Sequence, residues 1–406
     1  MTPLFDPAAV GRGRGGAVRI RVWSPDPEAA APYLAEIQPQ LWRHAEIQPA
    51  GEEAADLDLY PIGDGPAFAP PYRAALRRPG VVLLRDWNLH TLVRGETRGR
   101  GGVREYLREM RRSGGESGTF VARQVVRGLG GDLLPALFPL NDRLLEVSLA
   151  VVASTEHIRS RVARALPGRP LLQLPLHFLV PRPGRPAREE ARLARGLADH
   201  DLLIGAAGEA RSLARAKAAA DRLRGDFPSL RLEDLSSPDR PFDLAAADVV
   251  LSLHVPSGGG VPPELVRAAL WGIPTLVSAG TPGEEEFPEG AVVPVDPGPS
   301  EEAEIEALLR LLLKDPSLRQ AIGGRAREHV ESHTPRLLAD RLAGFLAGVE
   351  GGKKAALRAL AKDRAAEGSR LEYLMEEVRW AARDLGLAGA RLGLEPLLAP
   401  LGKDPS

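Results

Sequence analysis

Asp248–Ser278 reads DVVLSLHVPSGGGVPPELVRAALWGIPTLVS. Asp248–Leu253 is a short β-branched and aliphatic run, the pattern of a buried strand. Pro256-Ser257 and Gly258-Gly259-Gly260 then form a loop. Proline suits the first turn of a helix, so Pro262-Pro263 opens the helix around Leu265–Leu270. Gly272-Ile273-Pro274 precedes a second strand, Thr275–Ser278. Strand, loop, helix and strand in this order are a parallel βαβ unit.

The same alternation extends on both sides. After this unit come a strand at Ala291–Val295 and helices at Glu301–Leu313 and on to about Gly348. Before it, Asp201–Gly205 (DLLIG) starts the series. An earlier series has strands at Ala17–Trp23, Leu57–Tyr60, Val81–Leu84, Leu149–Ala153 and Leu171–Leu174, with a helix at about Ala29–His44. Short apolar strands alternating with helices imply doubly wound parallel sheets. Pro181–Pro186 (PRPGRP) reads as a linker. The expectation is an α/β chain with domains at 1–182 and 183–350 and a helical tail at 351–406. In the tail, Leu371, Leu374, Val378 and Ala381 share one helical stripe.

Composition narrows the function. The 406 residues are 44% hydrophobic and carry a net charge of −1, so no global field attracts nucleic acid. The absence of cysteine excludes disulfides and thiol chemistry. No metal is expected from the eight histidines. Residues 1–16 lack the apolar core of a signal peptide, and no run approaches the roughly 20 apolar residues of a membrane span. A cytoplasmic protein is expected. Gly11–Gly16 (GRGRGG) and Arg98–Gly102 (RGRGG) lack interleaved aromatics and read as loops.

Asp248–Ser278 resembles the donor-binding region of the glycogen-synthase-like family of retaining glycosyltransferases. Pro256-Ser257, the three glycines, the helix through Arg267 and Gly272-Ile273-Pro274 carry the resemblance. Gly283–Pro288 (GEEEFP), Lys314-Asp315-Pro316 and Arg319 continue it. The N-terminal half is similar to one subgroup through Tyr60–Asp64, Tyr72, Pro79–Asp86, Leu89-His90 and Arg143–His157. The likeness spans about residues 17–345. It implies the GT-B fold, two Rossmann-like domains facing across a cleft.

The resemblance also implies a site. A nucleotide-diphosphate sugar would be the donor substrate, with no other cofactor. Its diphosphate would meet backbone N–H groups at a helix N-terminus, where glycine allows close approach. Donor contacts are expected from Gly205, Arg211, Ser257, Gly258, Gly259, Gly260, Glu264 and Arg267. Arg211 matches the basic residue that neutralises the leaving diphosphate; a solvated helix face explains it equally well. Asp86 and His90, at a strand end, are expected near the acceptor, or else as a helix cap and an inward-facing side chain. Asp86, His90 and Arg211 are thus the catalytic candidates.

Several positions depart from the family. Its two glutamates, eight positions apart, fall on Gly259 or Gly260 and on Arg267. Glu264 could replace one of them or act as a first-turn acid. Pro262 and Pro263 each remove an N–H. The Gly-rich turn after the first strand is replaced by Ser24–Ala31 (SPDPEAAA), and two family histidines fall on Phe68 and Arg85. The expected function is transfer of a sugar, with retention and without a metal, to a glycan, lipid or protein acceptor. Peripheral membrane contact is compatible with it. The alternative is a GT-B protein that has lost catalysis and serves as a binding or scaffold module; a sugar-nucleotide epimerase ranks third.

Overall fold

The computed structural model describes residues 18–24, 32–49, 51, 55–100, 102–131, 133–179, 188–235 and 244–366. Two compact units divide the chain, Met1–Glu350 and Gly351–Ser406. The linker at Pro181–Pro186, the loop residues 25–31, Gly11–Gly16 and the stripe Leu371–Ala381 lie outside the described residues.

The first unit holds two sheets. Strands β1 (Val18–Val22), β2 (Ala45–Pro49), β3 (Leu57–Ile62), β4 (Val81–Leu84), β5 (Ala150–Ala153) and β6 (Leu171–Gln173) form one, in the order β2-β1-β3-β4-β5-β6. Strands β7 (Leu202–Gly208), β8 (Leu230–Asp234), β9 (Val249–Leu253), β10 (Thr275–Ser278) and β11 (Val293–Val295) form the other, in the order β11-β10-β9-β7-β8. Every pairing is parallel. Helices follow most strands, and the long helix Pro335–Ala366 closes the described chain. The expected α/β architecture of two Rossmann-like lobes is present.

Burial explains the strands. β4, β5, β9 and β10 are buried at every residue, because helices cover both faces of a parallel sheet. β2 and β8 are edge strands that the sequence reading omitted. Their sequences, AEIQP and LRLED, mix polar with apolar residues and lack the continuous apolar run.

The motifs at 272 and 315 hold helices together. Gly272 ends the helix Pro263–Trp271 in the left-handed region, φ 69°. A Cβ on Gly323, in the helix Pro316–Ser332, would stand 1.9 Å from the Gly272 carbonyl oxygen, so the two backbones touch. Asp315 caps that helix through the Leu318 amide (2.9 Å), and Pro316 opens it. Arg319 donates to the last carbonyls of the preceding helix, Leu312 (2.6 Å) and Leu313 (3.1 Å).

Aromatic packing joins the lobes. Phe178, just past β6, is buried with Val261, Leu265 and Phe287 of the second lobe. Its ring centroid lies 5.4 Å from that of Phe287 and 4.6 Å from that of His333. Glu286 accepts the Glu156 amide across the same junction (2.5 Å). Burial pushes the Glu286 carboxyl up to about 7, against the pull of that amide. On the return path of the chain, His44 bonds Asp340 (2.7 Å) and Arg341 donates to the Gln173 carbonyl (3.0 Å).

His177 makes this junction acid-sensitive. Both its ring nitrogens are buried, and burial, aided by His333 and His329, drives its pKa down to about 3. The unfolded histidine titrates near 6.5, so its neutral form stabilises the fold fully above that pH. This contribution is lost as pH falls from about 6.5 to about 3. His177→Leu is therefore expected to flatten the urea midpoint against pH. The difference between the two proteins should change by about 3 kcal/mol between pH 7 and pH 4. Parallel pH profiles for variant and wild type would refute this.

Candidate functional site

In a doubly wound sheet, ligands bind past the strand C-termini where the strand order reverses. In the second sheet that point lies between β7 and β9, since the chain moves from β7 to β8 on one side and to β9 on the other. A pocket of about 210 Å³ opens there, lined by Glu209 after β7 and by Ser252 and His254 at the end of β9. Ser257, Gly258, Gly260, Pro262, Pro263, Glu264 and Thr281 complete the second lobe's share. Asp86, at the end of β4, faces them from the first lobe.

The glycine loop is docked on the first lobe. The Gly258 carbonyl accepts the amides of Trp87 (2.8 Å) and Asn88 (3.1 Å), and the Gly259 carbonyl accepts Thr155 Oγ1 (2.8 Å). A Cβ on Gly259, at φ 93°, would lie 2.6 Å from Trp87 Cβ; one on Gly260 would lie 2.7 Å from Asp86 Oδ1. Glycine is therefore required there for lobe-to-lobe approach. The Gly259 amide donates to Ser257 Oγ (3.1 Å). The amides of Gly258 and Gly260 have no partner among the described residues.

Glu264 stands at the start of the helix Pro263–Trp271, where Pro262 and Pro263 supply no N–H. Its Oε1 accepts Ser252 Oγ (2.8 Å) and bonds His254 Nε2 (2.6 Å). Its carboxylate also takes its own backbone amide. Burial raises this carboxyl, but the hydrogen bonds and charge of His254, with Ser252 and the amide, outweigh it and hold the group below its ordinary value. The positive end of this helix is thus met by a carboxylate of the protein. The helix Ala210–Leu223 differs: its N-cap, Glu209, makes no side-chain cap bond, so its first amides are uncapped.

The expected site residues separate. Asp86, Ser257, Gly258, Gly260 and Glu264 come together on the pocket, and Gly259 holds the loop against Trp87. His90 faces the core, its Nδ1 against the Phe138 carbonyl (2.8 Å) and its Nε2 against Tyr106 Oη (3.0 Å). Burial lowers its pKa. Asp64, not Asp86, caps its helix through the Leu92 amide (2.8 Å). Gly205 sits inside β7, paired with Glu233 and Val250. The turn begins three residues later, at Gly208, because the apolar run continues through Ala207. Arg211 and Arg267 are exposed and outside the pocket lining.

Asp86 is itself engaged. Its Oδ2 accepts the Asp64 amide (2.9 Å) and Arg85 Nε (3.1 Å). The Arg85 guanidinium lies over the Phe68 ring, 4.9 Å from its centroid. The two positions where the family carries histidines therefore touch one another as a cation–π pair. Glu209, His254 and Thr281 escaped the sequence reading. Position alone could have found His254, which directly follows a buried strand.

The pocket lining carries three carboxylates, Asp86, Glu209 and Glu264, and one imidazole, with no lysine or arginine. Such a lining offers acceptors to hydroxyl groups, and amides for an anion at the loop and at the helix starting with Ala210. Among the described residues no three acidic or histidine side chains are grouped to hold a metal.

No protein-family model matches this sequence, and no curated protein does. Many solved structures resemble it. WaaG, a glycosyltransferase of lipopolysaccharide biosynthesis, is 14% identical over 82% of this chain and 100% of its own, with a TM-score of 0.46. Sucrose-phosphate synthase from Thermosynechococcus elongatus is 14% identical over 82% and 100%, TM-score 0.47. Anabaena HepE, solved with UDP and glucose, is 11% identical over 81% and 99%, TM-score 0.45. Two parallel sheets, each with its helices, on either side of the pocket give the chain a GT-B-type architecture. In this GT-B chain the pocket lies between the lobes, formed mostly by the second and closed by Asp86 of the first.

Proposed function

We propose that the protein is a glycosyltransferase that binds a nucleotide-diphosphate sugar in the pocket at the ends of β7 and β9. The carrying observation is the pair of unpartnered amides, Gly258 and Gly260, on the pocket beside the uncapped helix that begins at Ala210. Backbone N–H groups and a helix N-terminus suit a diphosphate without a counter-charged side chain. Asp86 and Glu264 would accept hydroxyls of the sugar. As the bond from the anomeric carbon to the diphosphate oxygen breaks, negative charge grows on the diphosphate, and the same amides stabilise it. Retention of configuration and independence from metal come from the resemblance to the glycogen-synthase-like family, as does an acceptor bound toward the first lobe.

One observation favours the reading without catalysis. The carbonyls of Gly258 and Gly259 are tied to the first lobe, and Glu264 occupies its own helix start. A protein that kept the lobes but lost the donor would show the same. Titration with UDP, GDP and ADP, followed by turnover of the matching sugar donor, separates the two. Binding with release of the nucleoside diphosphate supports the transferase. Binding without release, or no binding to any of the three, supports the module.

A further inference from the structure

His254 directly follows β9 and lines the pocket with its side chain 31% exposed. Its Nε2 lies 2.6 Å from Glu264 Oε1. The Glu264 carboxyl is held below its ordinary value, so near neutrality it is ionised and only accepts. Nε2 therefore carries the hydrogen of the neutral ring, and a second proton can enter only at Nδ1. That nitrogen has no partner among the described residues. Unlike both ring nitrogens of His177, it is not buried.

The charge around His254 is one-sided. The other titratable groups on the pocket are Glu264 on the helix Pro263–Trp271, Glu209 before the helix Ala210–Leu223, and Asp86 at the end of β4. All three are carboxyls. Arg85 bonds Asp86 (3.1 Å) and lies over Phe68, and Arg211 and Arg267 stand outside the lining. Backbone amides hold an anion well where nothing opposes it. Here carboxylates do oppose it, and a diphosphate is a multivalent anion. Among the described residues of the lining, His254 is the one group that can turn cationic in the physiological pH range.

We propose that His254 takes up a proton at Nδ1 as the diphosphate binds and becomes the cation of the donor site. The inference rests on the reading of the pocket as a diphosphate site. The proton comes from solvent, the new N–H donates to a diphosphate oxygen, and the proton returns to solvent when the nucleoside diphosphate leaves. During transfer the imidazolium opposes the negative charge that grows on the leaving diphosphate. Binding linked to uptake of one proton strengthens as pH falls, by at most about tenfold per pH unit.

Calorimetric titration of the full chain and of His254→Gln with UDP, GDP and ADP at pH 6, 7 and 8 tests this. Glutamine keeps an N–H donor for Glu264 but cannot take up a proton. The terminal phosphate of the ligand titrates in the same range, so the readout is the difference between the two proteins. From pH 8 to pH 6 the wild type should gain about tenfold in affinity relative to the variant. Equal urea midpoints keep the comparison fair. If the variant is unstable, the wild type alone decides: its binding heats in Hepes and in Tris at pH 7.5, buffers of different ionisation enthalpy, should differ in the sense of net proton uptake. Parallel pH profiles for the two proteins, or equal heats in the two buffers, overturn the proposal and leave the pocket a diphosphate site. Silence from all three diphosphates at every pH removes that site, and the proposal with it.

Discussion

Gly208→Ala is expected to destabilise the second lobe by more than about 3 kcal/mol. Gly208 ends β7 at φ 151°, a conformation side-chain-bearing residues rarely adopt. An added Cβ would lie 2.0 Å from the Leu253 carbonyl oxygen and 2.8 Å from its carbon. Both are backbone atoms, and the same carbonyl accepts the Glu209 amide (3.1 Å). No side chain can rotate away, so β7 and β9 must part at their C-terminal ends. Those ends carry Glu209 and His254, so ligand binding should fall together with stability. Gly258→Ala is the control, since a Cβ there meets nothing within 4 Å. Its urea midpoint should stay within about 0.5 kcal/mol of wild type. Equal midpoints for Gly208→Ala and wild type would show that the strand ends tolerate separation.

Asp248→Ala is expected to cost about 3–5 kcal/mol. Asp248 precedes β9 with its side chain 7% exposed. It accepts Arg188 (2.6 Å), Arg192 (3.3 Å) and the Leu203 amide at the start of β7 (2.8 Å). Arg192 is itself buried and donates to the carbonyls of Ala246, Ala198 and Asp201 (3.2, 2.8 and 2.6 Å). Removing the carboxylate strands a buried guanidinium and orphans a strand amide, so the loss exceeds the net worth of the pair. Glu105→Ala, at a pair with Arg108 in which both side chains are 41% exposed, should cost less than about 1 kcal/mol. Similar midpoints for the two variants would contradict the assignment of burial as the decisive factor.

The fold was legible where burial was complete. Val81–Leu84 and Thr275–Ser278 were bounded to the residue, because both lie inside sheets and are buried at every position. The edge strands β2 and β8 were not, since half-solvated strands mix polar and apolar residues as loops do. The motifs of the resemblance turned out to encode packing: Gly272 against Gly323, Asp315 as a cap, Phe287 in the lobe junction.

The site was less legible, for a physical reason. His90 and Asp86 follow the same strand, yet one turns inward and the other faces the cleft, and only tertiary packing decides which. Arg211 and Arg267 had the right charge at the expected places, but both stand exposed and outside the pocket lining. His254 carries no motif; only the topology makes it a site residue.

The central claim is that backbone amides at the β7–β9 crevice hold a diphosphate. Calorimetric titration of the full chain with UDP, GDP and ADP, beside the corresponding nucleosides, tests it most directly. The account predicts saturable binding of one nucleoside diphosphate below millimolar concentration, with its nucleoside at least about 100-fold weaker, the worth of two amide contacts. Silence from all three diphosphates up to millimolar concentration, or equal affinity for nucleoside and diphosphate, would contradict it.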